Sequence, residues 1–400
     1  MCKKAVAIML SSLLLLSPHQ ALGEEDEESQ TLAEETGSAL LMEVDTGNVL
    51  YQKDEHNPLP PASMTKIMTM LLIMDDVANE EISLDETVTT SERAASMGGS
   101  QIFLETGEEM TVREMLKAIA IASGNDASVA MAEHISGSEE TFVERMNEKA
   151  EELGLEDTTF HNSNGLPADG HESSAYDLSV MARELLQKHE EITSFTGVYD
   201  DYLRQGTDDE FWLVNTNRLL KFFDGMDGLK TGFTDESKYG LTATAKRDDM
   251  RLVAVVMGSE TPKTRNADIS ELLNYGFANY RVEPMFEEGA AVTSVPVEKG
   301  VQDAVVGRLD DKVSMLYGKQ DSSDDITENI ELESLQAPVE EGEVIGTFQL
   351  LHDGDTVIES NIIAGETVES ASWWHLFKRS TLRIIGVEPD PEDTISDGEN

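Results

Sequence analysis

The sequence predicts an α+β fold, an antiparallel sheet covered by helices, followed by a small all-β sandwich and a C-terminal amphipathic helix. Three observations carry this. Strand patterns stand at both ends of the first 280 or so residues, with a block of helical patterns between them. Past about residue 282 the chain turns to short strands separated by acidic or Gly-containing turns. Near the end, two adjacent tryptophans and other apolar residues alternate with cations. At 400 residues the chain has room for one large and one small domain.

The first residues read as an export signal. Lys3 and Lys4 form a charged start, residues 5–16 an apolar run, Pro18 a break, and Ala21-Leu22-Gly23 a small-x-small cleavage site. The run is too short for a stable membrane-spanning helix. The single cysteine, Cys2, lies inside this segment, so the processed chain is expected to fold without disulfides. Residues 24–35 are polar and acidic and suggest a flexible leader.

Residues 39–44 and 48–51, joined by Asp45-Thr46-Gly47, read as a hairpin. Residues 63–77 carry Met64, Ile67, Met68, Met70, Leu71, Leu72, Ile73 and Met74 on every side, the pattern of a helix buried all round. Helical periodicity follows at residues 111–123, 126–135, 140–153 and 176–187. Residues 239–245 and 251–257 read as paired strands about an Arg247-Asp248-Asp249 turn, and 267–275 as a helix returning onto that sheet. Strands are then expected at 292–297, 304–309, 313–317, 330–335, 344–351 and 356–363. The organisation is therefore a signal over 1–23, a leader over 24–35, a first domain over 36–282, a β-rich domain over 283–366, an amphipathic helix over 367–386 and an acidic tail over 387–400.

Asp and Glu total 79 against 29 Lys and Arg, a net charge of −50. Such a surface repels nucleic acid, whose phosphates need basic patches. The acids are spread along the whole chain, which suggests adaptation to high salt, where screening removes self-repulsion. Trp373, Trp374, Leu376, Phe377, Ile384 and Ile385 beside Lys378, Arg379 and Arg383 suit a helix lying in a membrane interface; docking on the protein itself is the alternative. No HExxH or paired-cysteine pattern appears, so neither metal nor cofactor is expected.

Three short patterns can carry chemistry. Ser63 and Lys66, three apart at a helix start, share one face. A serine hydroxyl needs a neighbouring base, and a desolvated lysine beside other cations can serve. Their place on an otherwise apolar buried helix gives the pair its weight. Ser123-Gly124-Asn125 falls between two helices, where it also reads as a C-cap glycine with an N-cap Asn or Asp. Lys230-Thr231-Gly232 precedes a strand and also reads as an edge strand protected by an exposed lysine.

Taken in this order, the three patterns resemble those of the serine penicillin-recognising enzymes. The flanks Pro61-Ala62, Asp126-Ala127, Asp227-Gly228-Leu229, Ser96-Met97-Gly98-Gly99-Ser100-Gln101, Asn162 to Leu166 and Ser174-Ala175-Tyr176-Asp177 extend the likeness. The chain looks most like the low-molecular-mass D-alanyl-D-alanine carboxypeptidases of the Gram-positive, sporulation-associated type. Gly124 replaces the Asp of the general pattern, and Phe233 stands where some relatives have His.

The resemblance implies a β-lactamase/transpeptidase-like first domain, with peptidoglycan pentapeptide as substrate and β-lactams as inhibitors. It also implies attachment to the outer face of the cytoplasmic membrane through the terminal helix. Ser63 would be the nucleophile, Lys66 its base, and Ser123 with Lys230 the proton relay. Asn125 would hold the acyl side chain, and the backbone N–H groups of Ser63 and Phe233, beside Gly232, the oxyanion. Thr231 and Arg265 would take the terminal carboxylate, and residues 98–101 would border the cleft. A serine β-lactamase, or a D,D-endopeptidase using the same site, is the alternative activity.

Overall fold

The computed structural model describes residues 32–320, 326–352 and 354–384. The signal segment, most of the acidic leader and the acidic tail lie outside the described residues. The end of the leader is not loose: Ala33 is buried, its N–H donates to Glu271, and Lys53 Nζ donates to the carbonyls of residues 33, 34 and 36.

The hairpin forms as the sequence predicts, β1 (Ser38–Glu43) pairing with β2 (Val49–Lys53). Gly47 takes φ +73°, and the buried Glu43 carboxylate accepts from the N–H groups of Asp45 and Thr46 and from the Thr46 hydroxyl. A 3₁₀ turn over Ala62–Thr65 leads into α1 (Lys66–Ala78), which is buried from Lys66 through Met74. Two short elements, β3 (Thr87–Thr89) and α2 (Glu92–Ala95), precede β4 (Glu109–Thr111), which pairs with β3.

The predicted helices follow as α3 (Val112–Ile121), α4 (Asn125–Ser136), α5 (Glu139–Glu152) and α6 (Ala175–Lys188). A capping box between Thr111 and Glu114 starts α3, and left-handed Gly137 ends α4. One-turn α7 (Thr193–Thr196) leads to a small hairpin, β5 (Asp200–Leu203) with β6 (Phe211–Val214). The chain then lays down β7 (Met226–Thr234), β8 (Lys238–Arg247) and β9 (Met250–Ser259), and closes with α8 (Pro262–Asn279). Pro262 at its first turn and a Thr261 cap start α8 five residues before the expected position.

The main sheet is antiparallel throughout, in the order β2-β1-β9-β8-β7. Central β9 is buried on both faces. Leu40, Met42, Val253 and Val255 join the core built by α1 and α3–α6. On the opposite face Leu41 and Leu252 meet α8, whose Gly276 lets it approach. β7 is the edge strand, and it faces the start of α1.

The second domain begins earlier than the expected boundary at 282. β10 (Tyr280–Phe286) leaves α8 directly and pairs with β13 (Val313–Gly318), since nothing but a cap separates helix from strand. Between them run β11 (Ala291–Glu298) and β12 (Ala304–Leu309). The other strands are β14 (Ile326–Leu332), β15 (Leu335–Gln336), β16 (Val344–His352) and β17 (Asp355–Ala364). A six-stranded sheet in the order β14-β16-β17-β12-β11-β15 packs on the β10–β13 pair through Val313, Met315, Tyr317, Phe348 and Ile362. Lys312 and Ser314 both donate to Asp45, tying this domain to the β1–β2 turn.

α9 (Trp373–Ile384) starts six residues after the expected 367, because residues 368 and 370 form β-bridges to the second domain, and the end expected at 386 lies outside the described residues. Arg379 pairs with Asp303 and donates to the Gly300 carbonyl, while Trp373, Trp374 and Phe377 stack on one another and remain more than half exposed. Among the described residues, no helix is long and apolar enough to cross a membrane, and no group of three or more potential ligands could hold a metal ion.

Candidate active site

Ser63 sits in the 3₁₀ turn before α1, raised by the positive φ of Ala62 (+47°). Three glycines let other segments reach it. A β-carbon on Gly165, itself at φ +83°, would lie 1.8 Å from the Ala62 carbonyl oxygen and 3.0 Å from Ser63 N. One on Gly232 would lie 2.6 Å from the Pro61 carbonyl oxygen, and one on Gly240 would lie 2.6 Å from Met64 Cε. The edge strand thus runs against the nucleophile's turn, as close as backbone allows.

One α-helical turn on, Lys66 is fully buried. Its Nζ lies 3.1 Å from Ser63 Oγ, 2.7 Å from Asn125 Oδ1 and 2.6 Å from the Asn164 carbonyl oxygen. Burial, and then the charge of Lys230, push its pKa well below the usual lysine value. A neutral amine has two N–H donors and one lone pair. In that neutral form the Asn125 and Asn164 oxygens would take the two donors, and the lone pair would be left for the Ser63 hydroxyl.

Lys230 is not the exposed edge lysine of the alternative reading. Lys230-Thr231-Gly232 lies inside the edge strand β7, ahead of the expected strand β8, but Lys230 is 2% exposed and donates to its neighbour's carbonyl. Desolvation and the nearby Arg265 bring it down to about 7. Arg265, on the first turn of α8, is also buried and lowered to about 10; its guanidinium donates to Asn266 Oδ1. Thr231 Oγ1 lies 2.5 Å from Thr216 Oγ1. Phe233 is half exposed and stacks on Tyr239, ring centroids 4.3 Å apart.

The Ser123-Gly124-Asn125 loop does not cap as the alternative reading has it, since the C-cap of α3 is Ala122 and the N-cap of α4 is Gly124. No side chain caps the start of α4. Ser123 adopts φ +62°, and its buried Oγ makes no hydrogen bond among the described residues. A left-handed serine with an unsatisfied hydroxyl is costly, and such strain is typical of functional sites. Asn125 bridges Lys66 and the Gly98 carbonyl, so it orients the lysine as well as lining the cleft.

Sequence reasoning gave no role to four contributors. Asn164 supplies the carbonyl that fixes Lys66, and Gly165 the close approach; their signal was the polar Asn162-Ser163-Asn164-Gly165 turn. Asp126, whose pKa burial raises, accepts from the N–H groups of Ile102 and Leu104 and holds the 98–104 loop to α4. His171 accepts the His161 N–H at Nδ1 and hydrogen-bonds Thr65 through Nε2; burial lowers it to about 4.

Comparison with known proteins shows the family. Residues 25–261 match the family model described as D-alanyl-D-alanine carboxypeptidase, and residues 280–370 match that of the penicillin-binding protein 5 C-terminal domain. The D-alanyl-D-alanine carboxypeptidase DacF of Bacillus subtilis is 50% identical over 94% of this chain and 98% of its own length. Among solved structures, penicillin-binding protein 5 of Haemophilus influenzae superposes with a TM-score of 0.69 at 29% identity, covering 85% of this chain and 98% of that one. The ampicillin-bound form of penicillin-binding protein D2 from Listeria monocytogenes gives 0.55 at 31% identity, over 62% of this chain and 99% of that one. The chain belongs to the D-alanyl-D-alanine carboxypeptidases of peptidase family S11, a family of serine hydrolases.

Proposed function

We propose that this protein removes the terminal D-alanine from peptidoglycan stem pentapeptides through an acyl-enzyme on Ser63. One observation carries the reading: a fully buried amine, its pKa pushed well down by desolvation and a second lysine, lies 3.1 Å from the hydroxyl of a serine that follows the positive φ of Ala62. Lys66 takes the Ser63 proton as Oγ attacks the carbonyl between the two D-alanines. The backbone N–H groups of Ser63 and Phe233 stabilise the oxyanion on that carbonyl. The C–N bond breaks, and the departing amine receives a proton through Ser123 and Lys230. Thr231 and Arg265 hold the terminal carboxylate, and Asn125 the acyl side chain. Water then attacks the ester with Lys66 again as base, releasing the tetrapeptide. A β-lactam, whose ring amide mimics the scissile bond, acylates the same oxygen.

Export and attachment to the outer face of the cytoplasmic membrane belong to the same proposal. The amino-terminal signal supports export, and the exposed Trp373, Trp374 and Phe377 on α9 support an interfacial helix. Anionic and zwitterionic vesicles should each retain the full chain, and a chain ending at residue 372 should stay in solution. Equal retention of both chains would refute the attachment.

The catalytic reading is tested by incubating the protein with a D-Ala-D-Ala pentapeptide and with penicillin, then mapping the acylated residue by mass spectrometry. Released D-alanine and a long-lived penicilloyl group on Ser63 are expected. Fast penicillin turnover would make the protein a β-lactamase instead.

A further inference from the structure

The turn at residues 162–165 makes two contacts that set up the nucleophile. The Asn164 carbonyl oxygen meets Lys66, and Gly165 lies against the Ala62 carbonyl. Asn162-Ser163-Asn164-Gly165 has no apolar side chain to anchor it in the core. Hydrogen bonds within the turn give it shape: Asn162 Oδ1 accepts from the N–H groups of Asn164 and Gly165, and Asn164 Oδ1 from that of Leu166. They do not fix where it stands. That is decided from outside, at the buried Ser163.

Every polar atom of Ser163 is held by another element. Its N–H and hydroxyl donate to Glu139 Oε1 at 3.1 and 2.9 Å, and its carbonyl accepts from Thr69 Oγ1 at 2.6 Å. Thr69 stands on α1, three residues after Lys66 and on the same side of the helix. The residue before Asn164 is therefore pinned by α1 and by Glu139 at the start of α5. Glu139 is 3% exposed, and a buried carboxylate needs a partner for its charge. Arg93 of α2 supplies it, its Nε and Nη2 both donating to Oε2.

Arg93 also leads to the second acceptor on Lys66. The chain leaving α2 reaches residues 98–100, where the Gly98 carbonyl accepts from Asn125 Nδ2 and the Ser100 carbonyl from Asn125 N, both at 2.7 Å. Asn125 Oδ1 is the other oxygen on the amine. The Arg93–Glu139 pair thus joins the two segments that hold the two oxygens. The charges acting on Lys66 directly are Lys230 and, with opposite sign, Asp126, so Glu139 reaches the amine through the turn.

We propose that Glu139, paired with Arg93, is a positioning residue for Lys66: it sets the Asn164 carbonyl against the amine and so aims the lone pair at Ser63. This rests on the reading of Lys66 as the base.

The test measures penicillin acylation in the full chain and in Glu139→Gln, which keeps the side chain's size but turns one acceptor into a donor facing Ser163 or Arg93. The acylation rate constant should fall about thirtyfold, the scale of a small misplacement of a catalytic group. The dissociation constant of the preceding penicillin complex should change by less than about twofold. Asp76→Asn is the control, since that carboxylate is also buried, pairs with Arg145 of α5 and has no hydrogen bond to the turn among the described residues. It should lower thermal stability and leave the acylation rate constant intact. Equal rate losses in the two variants, or none in Glu139→Gln, overturn the positioning role.

A second readout is one that a general loss of packing would not move. A carbonyl acceptor favours the charged amine, so loosening it lowers the Lys66 pKa further. In protein labelled with ε-13C lysine, the Lys66 signal, identified by its absence from Lys66→Met, should titrate at lower pH in Glu139→Gln and stay in place in Asp76→Asn. An unmoved titration overturns the role. Arg93 is half exposed, so Arg93→Gln serves where Glu139→Gln does not fold. It should show both changes more weakly, with Arg93→Lys restoring most of the rate, and no change in Arg93→Gln overturns the role. Acylation that survives in Lys66→Met would overturn the base itself, and the role of Glu139 with it.

Discussion

Three buried or nearly buried cations, Lys66, Lys230 and Arg265, stand in sequence around one serine. Arg265 keeps its charge at neutral pH, so the lysines yield protons. Each lysine has a folded pKa below its unfolded one, so the unfolded chain binds more protons between the two values. Stability from these groups therefore rises with pH across that window, and their charging as pH falls through the folded values costs stability. The same titration controls chemistry: the rate of penicillin acylation should fall as pH drops below about 7. Arg265→Ala removes a charge that lowers Lys230, so the acid limb should move to higher pH, while Arg265→Lys should largely restore it. A pH–rate profile of acylation reads this directly. An unmoved limb in Arg265→Ala would separate Arg265 from the lysine pair.

At the scale of elements, the site is a meeting of three segments whose approach depends on missing β-carbons. Gly165 has a positive φ and no room between it and the Ala62 carbonyl. Gly165→Ala should cost on the order of 3 kcal/mol in urea unfolding and reduce acylation of Ser63 by at least about a hundredfold. Gly107→Ala, also at positive φ but with nothing within 4 Å, should be milder and leave acylation intact. Comparable effects at both positions would mean that conformation alone, and not the contact with the nucleophile's turn, sets the cost. His171 supports the same turn through Thr65. With its folded value near 4, charging it costs stability progressively as pH falls from about 6.5 towards 4. His171→Gln should flatten that part of a thermal-stability profile.

Across the whole molecule the net charge of −50 is the dominant feature. Screening shortens from about 30 Å at 10 mM salt to about 3 Å at 1 M. Thermal midpoint should therefore climb from dilute buffer to molar salt, and equal midpoints would argue against a high-salt adaptation. The acids are not a substitute for a core: both domains are built on continuous apolar clusters, with no cysteine among the described residues. The Asp45 link to Lys312 and Ser314 is one of the polar ties between the domains, so salt acts on their junction as well as on the surface.

What the sequence determined by itself was the kind of chemistry and most of the elements. Residues 63–77 are apolar all round, which gives a polar pair on them its weight, and the alternation and periodicity of the first domain placed its main helices and four of the five strands of its sheet, missing β7. Those are local properties, set by the repeat of side-chain direction along a helix or strand. What only the tertiary structure decided depends on segments far apart in the chain. The carbonyl of Asn164 fixes Lys66 across 98 residues, and Asp126 holds the 98–104 loop. Arg265 depresses Lys230 from another element. Whether Lys230 was an exposed edge lysine or a buried one could not be read from three residues. The answer came from β7 lying against the turn of Ser63, an approach set by packing and by two glycines rather than by local preference.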